Sequence, residues 1–434
     1  MPDDASPSSS LAADLAPETV LANELFATLR ARSASRLGVT RASYGEGEQM
    51  AHDLMSALGE RLGLERRLDA AGNLYLTLPG ADRSLPSIMT GSHLDSVPEG
   101  GNYDGAAGVV AGMALLARWR RAGRQPRRDV TVMAVRAEEL SWFPAPYIGS
   151  RAAFGQLDAA SLDETRRPDT GKTLAEHMAL AGFDPGRIRA GEPQLDARRI
   201  HCFLELHIEQ GPLLVEKRIP VGIVTGIRGN LRYRHCHVLG RYGHAGAEPR
   251  LSRQDALLAG VAFVAELEQL WLAEEAAGRD LVCTVGQFHT DTEVHTLTKI
   301  PGEIWFTLDI RSEDNDVLLD IDRRLRDIAA RIGAERRVKI ELGPYTNALP
   351  GPIDPGHFAR LTRLAPAHGI AAIPMSSGAG HDAAVFGNAG VPTAMIFVRN
   401  AHGSHNPDEA MEVADFALAL KLLVAAVEDI DAAG

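Results

Sequence analysis

The residues best able to do chemistry fall in four short stretches. "GSHLDSVPEGGNYDG", residues 91–105, gathers His93, Asp95 and Asp104 among glycines; "AVRAEE" ends on Glu138 and Glu139; "ELHIEQ" holds His207; "NAHGSH" holds His402 and His405. Taken alone, the glycine-rich stretch fits a surface turn whose polar side chains bond their own backbone. Taken together, His93, Asp104, Glu138, Glu139, His207 and His405 fit a metal site. Two imidazoles and a carboxylate supply three protein ligands and leave a position open, the pattern of a catalytic rather than a closed structural centre. A further carboxylate and histidine suit a second ion, with one carboxylate shared. Paired metals roughly 3.5–4 Å apart activate one water and stabilise the oxygens of a hydrolytic transition state. The adjacency of Glu138 and Glu139 lets one carboxylate bind metal while its neighbour stays free as a base.

Something must bring these stretches together. Each follows an apolar run: "LPSIM", "DVTVMAV", "IHCFL" and "VPTAMIFV". The runs are short, β-branched or Met-rich and bounded by turn residues, which predicts strands buried on both faces. Between the first two lies "AAGVVAGMALLARWRRAG", a helix with a stop at Gly123, so strand, helix and strand form a βαβ unit. An α/β fold with a mostly parallel sheet follows, with helices on both faces. Ligands of such sheets bind beyond the carboxyl ends of the strands, where these residues stand.

The texture changes between residues 225 and 343. "NLRYRHCHVLG" alternates like a half-exposed strand, and a long helix follows with Ser252 as its expected N-cap. Two strands ("LVCTVGQFHT", "GEIWFTLDIRS"), a helix and the strand "RRVKIEL" complete a β-α-β-β-α-β order, that of a split βαβ sandwich inserted into the first domain. The expected division is a flexible acidic, Pro- and Ser-rich tail over 1–19, a catalytic domain over 20–224 and 344–434, and an inserted lid over 225–343.

Composition narrows the partners. A net charge of −12 argues against nucleic-acid and anionic-membrane surfaces. The 3 cysteines, Cys202, Cys236 and Cys283, have no CxxC spacing and suit buried apolar positions in a reducing compartment. No apolar run reads as a membrane span and no secretory signal is apparent, so a cytoplasmic location is expected. Of the 15 histidines, His52, His177, His201, His235, His237, His357 and His368 stand outside the motifs and read as surface or core residues.

In order along the chain, "GSHLDSV", "NYDG", "AEE", "ELHIEQGP", "GRYGHAGAEP", "DIRS", "SGAGHDA" and "GSHNPDE" resemble the hydantoinase/carbamoylase branch of the M20 metallopeptidase-like amidohydrolases. The resemblance runs from about residue 20 to the end, and "ELHIEQGP" is its most branch-specific part. It implies that His93 and His207 hold one divalent ion, Glu139 and His405 a second, and that Asp104 bridges them. Zn, Mn, Co or Ni all suit such ligands. It implies Glu138 as general base, Asp95 as the carboxylate orienting His93, His244 as a catalytic and substrate contact, and Gln210, Arg311, Gly380 and His381 as substrate contacts. It also implies a homodimer formed through the lid.

The expected reaction is hydrolysis of the carbamoyl C–N bond of an N-carbamoyl-L-amino acid, a small substrate bearing a carboxylate. Allantoate or β-ureidopropionate hydrolysis comes second and dipeptide hydrolysis third; a metal-retaining but inactive binding protein is the reading from another class. Two places depart from the branch. "EELSWF" has Leu140 and Trp142 where "EEGxRF" is usual, and "VHTLTKIPGE" has His295 and Thr298 where asparagines usually stand. His402 matches no ligand position, and Asp309 with Arg311 also fits a cross-strand ion pair in the lid.

Overall fold

The computed structural model describes residues 15–433 and separates into two compact units, one running to Thr225 and resuming at Pro352, the other Gly226–Gly351. Of the tail expected over 1–19, residues 1–14 lie outside the described residues. Residues 16–19 already belong to a helix, Ala16–Ser33, which opens with a proline in its first turn, where the missing N–H costs nothing. A second helix spans Glu46–Arg61.

The larger unit contributes β1 (Glu65–Leu68), β2 (Leu74–Leu78), β3 (Ser87–His93), β4 (Val130–Val135), β5 (Ile200–Ile208) and β6 (Val221–Ile227) before the chain leaves it. The smaller unit holds β7 (Gly229–Leu239), β8 (Gly243–His244), β9 (Val282–Thr290), β10 (Lys299–Ile300), β11 (Glu303–Ser312), β12 (Lys339–Glu341) and β13 (Tyr345–Ala348). On its return the chain adds β14 (Ala372–Ser377), β15 (Thr393–Val398), β16 (Asn400–Ala401) and β17 (Ala410–Met411).

The 8-stranded sheet has the order β1-β2-β4-β3-β5-β15-β6-β14. Its centre is parallel: β3 pairs with β4 and with β5, and β5 with β15. Antiparallel partners flank it, β2 against β4 and β6 against β15. The apolar runs are therefore strands, and β4 and β15 are buried at every residue, as strands covered on both faces must be. The Ala106–Arg121 helix joins β3 to β4 and is buried continuously from Ala106 to Leu116. It shares one apolar core with the Val413–Ala432 helix. Each fully buried leucine there contributes about 1.5–3 kcal/mol, which holds the carboxyl ends of β3, β4, β5 and β15 on a rigid base.

In the smaller unit the sheet order is β12-β7-β11-β9, with β13 also paired to β7. β11 alternates in burial at every residue. Ile304, Phe306, Leu308 and Ile310 join the core beneath the helices Ala256–Ala276 and Asn315–Arg336, leaving Asp309 and Arg311 on the other face. β13 carries this unit to Gly351, past the residue 343 set by sequence, because a second strand pairs with β7 after "RRVKIEL".

Two readings need correction. The long helix begins at Ala256, capped by Asp255 accepting from Leu258 N, while Ser252 ends a short 3-10 turn. Asp255 is the better acceptor because its carboxylate also meets the positive end of the helix. That same helix is apolar and long enough, by length and composition, to cross a membrane, which the sequence reading overlooked. Here it packs Ala256, Ala259, Phe263, Leu267 and Leu270 into the core of its unit. All three cysteines are buried and free, and burial pushes each thiol up to about 12.

Candidate metal centre and active site

Beyond the carboxyl ends of the parallel strands the predicted ligands converge. His93 ends β3, His207 sits near the end of β5, and Glu139 and His405 follow β4 and β15 on loops. Asp104 precedes Gly105, whose left-handed backbone (φ 64°) and missing side chain let the His93 ring approach; a Cβ there would lie 2.4 Å from it. Asp104 Oδ1 stands 3.2 Å from His207 Nε2 and 3.6 Å from His93 Nε2. His405 Nε2 stands 3.5 Å from both Asp104 Oδ2 and Glu139 Oε2.

Donor chemistry decides whether these residues fit metal ions. Asp104 Oδ1 and Glu139 Oε1 are buried without a hydrogen-bond partner, which is costly for a carboxylate unless a cation meets it. His207 points its Nδ1 at the Ile208 carbonyl (2.9 Å) while its Nε2 accepts from Gly105 N. Nδ1 is thus placed to carry the proton, which leaves Nε2, on the Asp104 side, with the lone pair a metal ion would take. Ligands each about 2.0–2.1 Å from a tetrahedral ion lie about 3.4 Å apart, close to the spacings found. The groups His93–Asp104–His207 and Asp104–Glu139–His405 share Asp104, and a third, Glu205–His207–His381, overlaps the first at His207, so the donor set fits divalent metal binding. His405 alone among these residues is open, its side chain 54% exposed.

Asp95 ties the ligands to the base. Its carboxylate lies 3.3 Å from His93 Nδ1 and accepts from Ser43 Oγ (2.6 Å) and from the backbone N–H of Glu138 and Glu139 (3.2 Å each). Burial pushes its pKa up, but hydrogen bonds from His93 and Ser43 outweigh that and hold it below the usual carboxylate range. Glu138 Oε2 reaches to 3.9 Å from His93 Nε2. Burial, with repulsion from Glu139, Asp382 and Asp95, raises Glu138 well above an ordinary carboxyl despite the attraction of His93, the direction a general base needs.

The turn delivering both glutamates is itself held. Ala137 adopts a left-handed backbone (φ 54°), and its N–H donates to Glu48 Oε1 (2.8 Å). Glu48 in turn pairs with Arg136 at 3.0 Å, both side chains buried. Trp142, in place of the usual arginine, donates from Nε1 to the Ser96 carbonyl (2.7 Å) and carries the Arg167 guanidinium over its ring. The departure thus closes the loop after Glu139 onto the residue following Asp95.

Gln210 Nε2 donates to Asp104 Oδ2 (2.8 Å), while its Oε1 is buried without a partner. His381 packs its ring 4.4 Å from that of His207 and pairs Nε2 with Ser377 Oγ (2.9 Å). Burial lowers its pKa well below the usual value, so the ring is neutral. Gly380 precedes it. His402 joins none of the ligand groups found among the described residues.

Sequence reasoning missed two buried carboxylates. Glu205 accepts from Ser92 Oγ (2.6 Å) and Ala383 N (2.8 Å), tying β5 to β3 and to the His381 loop. The signal was present: a glutamate inside a doubly buried strand, two residues before His207 and so on the same face. Glu409 accepts from Tyr103 N (2.8 Å) and Ser404 Oγ (2.9 Å), and Ser404 also bonds Asp104. Nothing in its spacing marked it.

His244 and Arg311 belong to the smaller unit. His244 is exposed on β8, and its Nδ1 accepts from Gly246 N and Ala247 N, 3.1 Å each, so Nε2 carries the proton as a donor. Opposite it on β10 stands Lys299, and Ala245 N donates to the Thr298 carbonyl (2.9 Å). His295 Nδ1 bonds Thr290 Oγ1 (2.7 Å). Arg311 is engaged by both oxygens of Asp309, at 3.0 and 2.9 Å, so the ion pair considered from sequence does form, but within β11 rather than across strands.

Residues 89–429 match the model of peptidase family M20/M25/M40. An N-carbamoyl-L-amino-acid amidohydrolase of Paenarthrobacter aurescens is 32% identical over 400 residues, covering 92% of this chain and 95% of its own. An allantoate amidohydrolase of Escherichia coli is 33% identical over 393 residues, 89% of this chain and 91% of its own. A crystal structure of a hydantoinase/carbamoylase family amidase from Burkholderia multivorans superposes with a TM-score of 0.83 at 29% identity, covering 94% of this chain and 97% of that one. The chain belongs to the M20/M25/M40 family, and within it to the metal-dependent amidohydrolases.

Proposed function

We propose that the protein hydrolyses the carbamoyl C–N bond of N-carbamoyl-L-amino acids, using two divalent ions held by His93, His207, Asp104, Glu139 and His405. The observation that supports this is Asp104 Oδ1, buried without a hydrogen bond, 3.2 Å from His207 Nε2 and 3.6 Å from His93 Nε2. The ions supply Lewis acidity; the protein's side chains do the rest. Glu138 takes a proton from the attacking water and returns it to the leaving nitrogen. As the bond between carbamoyl carbon and amino-acid nitrogen breaks, the amino acid leaves, and the carbamic acid formed decomposes to carbon dioxide and ammonia. His244 donates from Nε2 to the developing oxyanion. Arg311 receives the substrate carboxylate bidentately, alongside Asp309. Gln210, Gly380 and His381 frame the ureido head.

The relatives' names support the carbamoyl class and divide between carbamoyl amino acids and allantoate. A panel of metal-loaded assays separates these: N-carbamoyl amino acids of both chiralities, allantoate, β-ureidopropionate and dipeptides. Turnover of N-carbamoyl-L-amino acids is expected. Cleavage of dipeptides alone would replace this reading with a peptidase.

The working form is a dimer of two copies joined through the smaller unit. Leu258, Val261 and Leu272 form an exposed apolar stripe on the Ala256–Ala276 helix, and β9 is an unpaired edge of its sheet within the chain. Pairing with a second copy covers both.

A further inference from the structure

We propose that Tyr147 is a further substrate-positioning residue, its hydroxyl forming the wall of the binding pocket at Gly380. This rests on the reading of Gly380 and His381 as substrate contacts. The segment "FPAPYIGS" follows the base and doubles back along it. Ile148 N donates to the Ala137 carbonyl (3.1 Å), Gly149 N to that of Arg136 (2.9 Å), and Tyr147 N faces that of Glu138 at 3.5 Å. Gly149 permits this approach, since a Cβ there would lie 2.3 Å from the Arg136 oxygen. The backbone of Tyr147 is thereby fixed against the residues that aim Glu138.

Its side chain is fixed against the other wall. A Cβ built on Gly380 would lie 1.6 Å from the Tyr147 hydroxyl oxygen. That hydroxyl therefore fills the volume that any side chain at 380 would take, and Gly380 lends its position to it. Three residues on, Ser150 Oγ donates to Asp382 Oδ1 (2.7 Å), so the same turn clamps both ends of the Gly380–Asp382 loop. Tyr147 does this from a left-handed backbone (φ 53°), an uncommon conformation for a bulky side chain and one that persists where the surroundings over-determine it. The side chain is only partly buried, so it remains in reach of a ligand. A phenol hydroxyl has one proton and two acceptor positions; it can keep a protein partner and still meet an N–H of the ureido head.

Tyr147→Phe removes the hydroxyl and nothing else. Kinetics are read on whichever panel member the wild type cleaves, dipeptides included, so failure of the carbamoylase reading and failure of this one are separate outcomes. Losing one substrate hydrogen bond is expected to raise KM about tenfold, with kcat changed less than about threefold and with metal content and Tm unchanged. Gly380→Ala, which drives the hydroxyl aside, is expected to raise KM in the same direction. The double variant is expected to fall short of the product of the single effects, since both remove one interaction. A Tyr147→Phe enzyme with wild-type KM overturns the proposal, whatever its Tm, and so do fully multiplicative single effects.

Discussion

In the larger unit the charged side chains that matter lie inside the protein; in the smaller one they lie outside. Arg41, Glu48, Asp95, Arg136 and Glu205 are all buried, each held by hydrogen bonds to backbone or to one another. In the smaller unit His244 is exposed and Arg311 stands on the open face of the sheet, while stability comes from an apolar core under two helices. A buried charge without its partner is expensive, so one kept inside must be positioned by everything around it. The first unit therefore fixes geometry in advance, as a site that stabilises developing charge requires. The second carries its polar groups nearer its surface, Arg311 there paired with Asp309.

That contrast predicts where substitutions bite hardest. Glu138→Gln keeps the shape of the base and removes its proton affinity. We expect kcat to fall by about 10²–10⁴-fold with bound metal unchanged, as read by elemental analysis of the purified protein. Undiminished turnover would remove Glu138 as the base; a parallel loss of metal would make it a ligand. A protein inactive from the start on every panel substrate would favour the metal-retaining binding module instead.

Glu48→Gln tests the buried scaffold rather than the chemistry. Without the carboxylate, the Arg136 guanidinium stays buried without its ion-pair partner, and Ala137 N and Tyr44 N lose a charged acceptor. Breaking such a pair costs about 3–5 kcal/mol, measurable as a lowered urea midpoint at unchanged slope. A change within about 0.5 kcal/mol would show that the pair is not held as described.

The same contrast sets how much was legible in the sequence. Candidate ligands at strand ends were readable because a buried parallel strand announces itself, and its carboxyl end is where ligands bind; the pairing of His93 with His207 came from the resemblance. The buried helpers were not. Glu48 sits on a helix, its partner Arg136 just follows a strand 88 residues away, and no local period links them. Tyr147 carries no local signal, since what sets it apart is a close approach to Gly380. The Asp255 cap was misassigned to Ser252 because both are good caps and the intervening 3-10 turn carries no strong signal. The β-α-β-β-α-β order was plain, since β11 alternates at every residue and two long helices separate the strands, whereas β13 is short with no buried residue.

In the proposed dimer, His244 gives the next effect in size. We propose that it serves the metal centre of the partner copy. His244→Ala should then cost about 10²–10³-fold in kcat, like an oxyanion donor elsewhere. Co-refolding of Glu138→Ala with His244→Ala chains makes heterodimers that hold one intact site. A random mixture should recover about a quarter of wild-type activity. If His244 serves its own chain, both sites of every heterodimer stay broken, and no activity returns despite heterodimers seen by native mass spectrometry.

The smallest effect should come from a charge in the smaller unit that serves nothing. Arg331 and Glu335 are one turn apart on the Asn315–Arg336 helix, 3.0 Å between Nη1 and Oε1, with side chains 48% and 57% exposed. Water solvates each charge nearly as well as its partner does, and Arg331 also reaches Glu266. Holding two long side chains together loses rotamer entropy that offsets the attraction, and salt screens what remains. Glu335→Gln should therefore leave Tm within about 1 °C of wild type in low and high salt alike, with kinetics unaltered. A drop of several degrees that disappears in high salt would show that the charges of this unit also hold its fold, and the division between an inside and an outside use of charge would fail where it should be safest.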